Sequence, residues 1–274
     1  MCETKNKFNA LLKEALFTGE MLCSGYCQIR NANYSTKGVY FQAFTSLSTG
    51  FERIGKLCYL LIYAIENNGQ FPTSEYMKKS ISHDIIKLYR EILKFKNTHN
   101  IQYDYLQDLD EHIYTNILEI LSRFGKGDRY ANIDLLLNDV SCEDPISFWY
   151  KEIDLYIFEK KVSKKRKEKM REKSNMIQQL FSGLAMVMYT GEDEKEINNV
   201  FDGSFRAELN SVVAPYRQLF VFHVIRFFVE SLHELEKIVR NKNLFDIPYF
   251  MEIFGVFYND DSYMKRRKTI HLRK

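Results

Sequence analysis

Groups able to hold a phosphate recur at several places along this chain. Lys160 to Lys173 (KKVSKKRKEKMREK) sets nine basic residues against Glu168 and Glu172, about +7 locally on a chain whose net charge is only +3. The remainder must be near −4, so the charge is segregated. Lys164, Lys165, Arg166 and Arg171 could track a nucleic-acid backbone; the plainer reading is a solvated helix face. Arg129 and Asn132, just after Gly125-Lys126-Gly127, could bind phosphate or satisfy loop carbonyls. That stretch is no P-loop, because the spacing and the final Ser/Thr are absent. His83, in Ser82-His83-Asp84, stands where a helix opens, and the free N–H groups there attract anions. It is a nucleotide-contact candidate, although Ser82 or Asp84 could simply cap the first turn. Glu52, Arg53 and Lys56 could line a groove, or Glu52 and Lys56 could pair on a helix surface.

The elements that must position these groups are helical. Tyr40, Phe44, Leu47, Phe51, Ile54, Cys58, Leu61 and Ile65 alternate steps of four and three, laying one apolar stripe along a helix that stops at Asn67-Asn68-Gly69. An opening helix is predicted from Asn6 to about Cys27. A third, capped by Ser82, buries Ile85, Leu88, Ile92 and Phe95, and a fourth runs from about Tyr105 to Phe124. Short connections make an antiparallel bundle the natural packing. Asp144-Pro145 opens a helical pattern that runs towards Met188 through the basic stretch, and Gly191 to Glu196 is an acidic break. Ser204 to Arg240 is a long helix, kinked or split at Pro215, and a last helix spans Ile247 to Phe257. The expected fold is all-α: a bundle over 1–140 and a C-terminal helical extension over 141–274.

Composition narrows the class without naming a reaction. Four Pro and 12 Gly in 274 residues favour long helices over a many-turned β fold. Five scattered Cys offer no zinc spacing and suit a reducing compartment, so no metal or cofactor is expected. The charged N-terminus lacks a signal-peptide apolar run. The most apolar stretch, Leu219 to Val229, is broken by His223 and Arg226. The expectation is a cytoplasmic protein with no membrane partner.

FTSLSTGFERIGKLCYLLI followed by SISHDIIKLYREI resembles the HEPN (higher eukaryotes and prokaryotes nucleotide-binding) family. Glu52 and Lys56 match its Glu…Lys pair, and His83-Asp84-Ile85 matches its second element, with Ile for the usual Leu. The likeness spans roughly Ala15 to Phe124. It implies an all-α bundle that usually dimerises, in a family rich in RNA-cutting toxins and antiviral defence proteins. Active members resemble metal-independent ribonucleases whose signature is Arg, four to six residues, then His. Histidine moves the 2′-OH proton while arginine holds the phosphate.

This chain departs from that pattern within the bundle, where no His follows Arg123 or Arg129 at the required distance. Further on, Arg217 and His223, Arg226 and His233, and Arg266 and His271 satisfy the spacing. Of the first two pairs, only Arg226 and His233 share a helix face, which makes them the candidate catalytic pair. The bland alternative is a core His beside a snorkelling Arg. Two functions follow: an RNA-binding or RNA-cutting protein, or a non-catalytic helical scaffold with a protein partner.

Overall fold

Two helices of thirty residues each open the chain: α1 over Cys2–Asn31 and α2 over Lys37–Glu66. The computed structural model describes residues 2–137, 144–181, 183–185, 187–244 and 246–272. The stripe expected on α2 faces inward, with Tyr40, Phe44, Leu47, Phe51, Ile54, Cys58 and Leu61 fully buried. α1 and α2 pack antiparallel at close range because glycine lies under leucine twice. A Cβ on Gly25 would sit 2.5 Å from Leu47 Cγ, and one on Gly50 2.6 Å from Leu22 Cδ2. α2 ends at the expected stop: Asn68 and Gly69 turn left-handed, and the Gly69 amide donates to the Ala64 carbonyl.

The short helix α3 (Ser74–Ser80) carries the chain back before α4 (Ile85–Thr98) begins. α4 therefore runs parallel to α2, where a simple up-and-down bundle would set them antiparallel. His83 meets Glu52, Leu88 covers Gly55, and Thr98 reaches the level of Glu66. The cap of α4 is Asp84, which accepts the Lys87 amide. α5 (His112–Lys126) begins later than the apolar spacing suggests. The apolar residues before it belong to a loop: Tyr103 and Leu109 are buried, and the Gln107 side chain bonds both backbone groups of Tyr103. α6 (Ala131–Leu136) follows. The expected boundary near 140 lies outside the described residues.

α7 (Pro145–Trp149), capped by Asp144, passes through a π turn at Tyr150–Asp154 into α8 (Leu155–Lys161). Extended backbone at Val162 interrupts the helical run, so the basic segment has its own helix, α9 (Lys164–Phe181). The acidic break turns between two-residue antiparallel strands, β1 (Tyr189–Thr190) and β2 (Glu196–Ile197), the one sheet among the described residues. α10 (Val200–Asn241) then runs unsplit through Pro215. Proline costs a helix interior about 3 kcal/mol, and burial outweighs it: every residue from Phe220 to Leu232 is buried. By length and composition α10 could cross a membrane, but 78% of its apolar window is buried inside the protein, as in a core helix. It packs on α1, α2 and α9, with α11 (Phe250–Phe254) and α12 (Asp261–Arg266) closing over it. One apolar core runs from Leu11 to Ile270, so the C-terminal half completes the bundle from within.

Candidate functional site

The parallel α2–α4 pair brings the two halves of the family-like motif together. The turn before α4 is held by the Ser82 amide on Met77 and the Asp84 amide on Ile81, with Ser82 in the left-handed region at φ 53°. That conformation is uncommon without glycine, and it points His83 back across α2. His83 Nδ1 lies 2.9 Å from Glu52 Oε1, and Lys56 Nζ lies 2.5 Å from the same oxygen. The imidazole is two-thirds exposed, and its Nε2 has no hydrogen-bond partner among the described residues.

These residues border a cleft of about 720 Å³ whose walls come from α1, α2, the α4 turn and the end of α5. Arg53, Lys56, Lys126 and Arg129 supply its positive charge, Glu14 and Glu52 its negative. Arg53 is paired with Glu14 at 2.7 Å and Lys126 with Asp84 at 2.7 Å. Burial raises the Asp84 carboxyl, but Lys126, the Lys87 amide and Ser122 outweigh it and hold the group below the usual range. Arg129 rests over the Tyr130 ring, on a loop tied down by Arg123 and Asp128 at 2.8 Å. All these ion pairs are partly exposed. Pairs of that kind are worth only about 0–1 kcal/mol, so a phosphate can replace a carboxylate at little cost.

The other sequence candidates lie elsewhere. Asn132 is exposed on α6 and is not part of the cleft wall. Lys164, Lys165, Arg166 and Arg171 are exposed on α9, which buries only Met170 and Ser174. Arg166 lies 3.6 Å from Glu208; Lys164, Lys165 and Arg171 have no ion pair among the described residues. Arg226 is 3% exposed. Its guanidinium bonds the Asn259 carbonyl at 2.8 Å, pairs with Asp261 at 2.9 Å and lies over Tyr105. His233 is half-buried and its Nδ1 has no hydrogen-bond partner among the described residues. This pair is packed into the fold, and Arg226 uses Nη1 to hold Asn259 and Asp261 at the start of α12. Arg217 and His223 are also internal: Arg217 pairs with Asp154, and His223 meets the Tyr114 hydroxyl.

Comparison with family models, curated proteins and solved structures finds no match to this chain. The site therefore rests on its own geometry. Lys126 and Glu14 are its charged residues that the sequence reading did not single out. Glu14 carried no signal, while Lys126 sat one residue beyond the glycine expected to end α5. Among the described residues no cluster of His, Cys, Asp or Glu could hold a metal ion.

Proposed function

We propose that this is an HEPN-like RNA-binding protein whose ligand phosphate occupies the cleft between α2, the α4 turn and α5. One observation carries the reading: four cationic side chains and an imidazole line a single cleft, with Lys56 and His83 at positions of the family-like motif. Cationic forks and ammonium groups are the usual partners of phosphate oxygens. The exposed cations of α9 would add backbone contacts outside the cleft.

A cutting activity, if present, belongs in this cleft and not at Arg226 and His233. Glu52 can orient His83 by accepting a hydrogen bond from its Nδ1–H, leaving Nε2 to take the proton of an RNA 2′-OH as that oxygen attacks the adjacent phosphorus, and to return it to the 5′-oxygen as the P–O5′ bond breaks. Lys56, Lys126 or Arg129 would stabilise the phosphate as it gains charge.

Fluorescence anisotropy with labelled single-stranded RNA in EDTA tests the binding. The wild type should bind in a salt-dependent manner, and Lys126→Ala with Arg129→Ala should weaken binding about tenfold, from lost charge-assisted hydrogen bonds. Wild-type protein that binds no RNA at low salt, or variants that bind unchanged, would remove the proposal. Gel analysis of the same mixtures reads cleavage. Cutting abolished by His83→Ala but kept by Arg226→Lys assigns it to the cleft; intact RNA leaves a binding module.

A further inference from the structure

At the other end of the α2–α4 pair lies a pocket of opposite character. It has a volume of about 490 Å³, and its walls come from the last turns of α2 and α4 and from α3. Tyr59, Tyr63 and Tyr76 form an aromatic corner. The Tyr63 and Tyr76 rings lie 5.3 Å apart and are tilted by 58°, and the Tyr59 and Tyr76 hydroxyls are 3.4 Å apart. Glu66 and Glu91 also line it, one from each helix, and neither has an ion-pair partner among the described residues. Lys94 is the one cation among the lining residues, and it pairs with neither carboxylate.

Three independent features make this pocket attractive to positive charge. The two carboxylates outnumber the one lining cation, Lys94, which pairs with neither among the described residues. The tyrosine faces carry negative quadrupole potential. Because α2 and α4 run parallel, both present their C-terminal, partially negative ends here. Burial and the Tyr76 hydroxyl, followed by Glu91 and Glu66, push the Tyr59 phenol above its ordinary value. The space greatly exceeds what a bare metal ion needs, and a hard cation would call for six or more oxygen ligands. Aromatic faces combined with carboxylates fit an organic ammonium group.

We propose that this pocket binds a small alkylammonium ligand of the polyamine type, with the cation over Tyr63 and Tyr76 and its charge shared by Glu66 and Glu91. The site is independent of the phosphate cleft, and neither reading needs the other.

Isothermal titration of the full chain with spermidine and with tetramethylammonium, at ionic strength matched with NaCl, tests it. Saturable one-site binding of spermidine at submillimolar concentration is expected, with weaker binding of tetramethylammonium. Glu91→Gln and Tyr76→Leu should each weaken spermidine about tenfold, and Tyr76→Phe, which keeps the ring, should retain most of the affinity. Lys94→Ala should tighten it. The substituted side chains are at least partly exposed, so folding is preserved and is checked by circular dichroism. No heat beyond the NaCl control, or spermidine binding unaltered by Glu91→Gln and Tyr76→Leu, overturns the proposal.

Discussion

Burial pushes the Glu230 carboxyl up to about 7, against the opposing pull of the Asp104 amide and Arg226. Its Oε1 accepts the Asp104 amide at 2.8 Å, while Oε2 has no hydrogen-bond partner among the described residues. A free glutamate titrates near 4.3, so between that pH and about 7 the folded state holds the extra proton. Stability from this residue is therefore complete at low pH and is lost as pH rises through about 7. Glu230→Gln should raise Tm by a few degrees at pH 8 and change it little at pH 4, which thermal melts across that range will read. Arg217 and Asp154 behave differently, because each is wholly buried and satisfies the other at 2.8 and 2.5 Å. Arg217→Met should cost about 3–5 kcal/mol in urea unfolding by stranding a buried carboxylate, and adding Asp154→Leu should recover part of it. Both arginines of the internal Arg/His spacings thus hold the fold together. Spacing alone could not reveal this, because Asp154 and Asp261 arrive from distant parts of the chain. His83 and Glu52 were legible, since a local motif marked each; their meeting required the parallel helix pair.

At the scale of elements, the α1–α2 contact is set by two glycines, each under a leucine of the facing helix. Gly25→Ala should cost about 1–3 kcal/mol, as its methyl would drive into Leu47. Leu47→Ala alone should cost about 2–5 kcal/mol through the cavity it leaves. The double variant should be less destabilised than the sum, by at least 1 kcal/mol in a denaturation cycle, because the new methyl fills the vacated space. Strict additivity would mean that the helices simply slide apart. The 3.6-residue period made these helices and their buried faces readable. It misplaced the start of α5, since Tyr103 and Leu109 are buried from a loop, which the period cannot distinguish from a helix. The direction of α4 was also hidden, because α3 lies within what the sequence offers only as a short connection.

Across the whole molecule, positive charge is displayed in two physically different ways, and salt can separate them. In the cleft, Arg53, Lys56 and Lys126 are already paired with carboxylates, so an arriving phosphate displaces protein anions and releases few counterions. On α9, Lys164, Lys165 and Arg171 are exposed and have no ion pair among the described residues, so a phosphate there displaces solution anions. Each neutralised phosphate of a single strand contributes roughly 0.7 to the slope of log affinity against log salt. If one RNA strand engages both surfaces, replacing Lys164, Lys165 and Arg171 by Gln should flatten that slope by roughly 2, with most of the lost affinity restored at high salt relative to wild type. Replacing Lys126 by Ala should lower affinity at every salt concentration while leaving the slope nearly unchanged. Anisotropy titrations from low to moderate salt measure both quantities on the same proteins. Equal flattening by the two sets would show that the cleft cations are free in solution, and the ion pairs seen around Glu14, Glu52 and Asp84 would then not be what tunes this site.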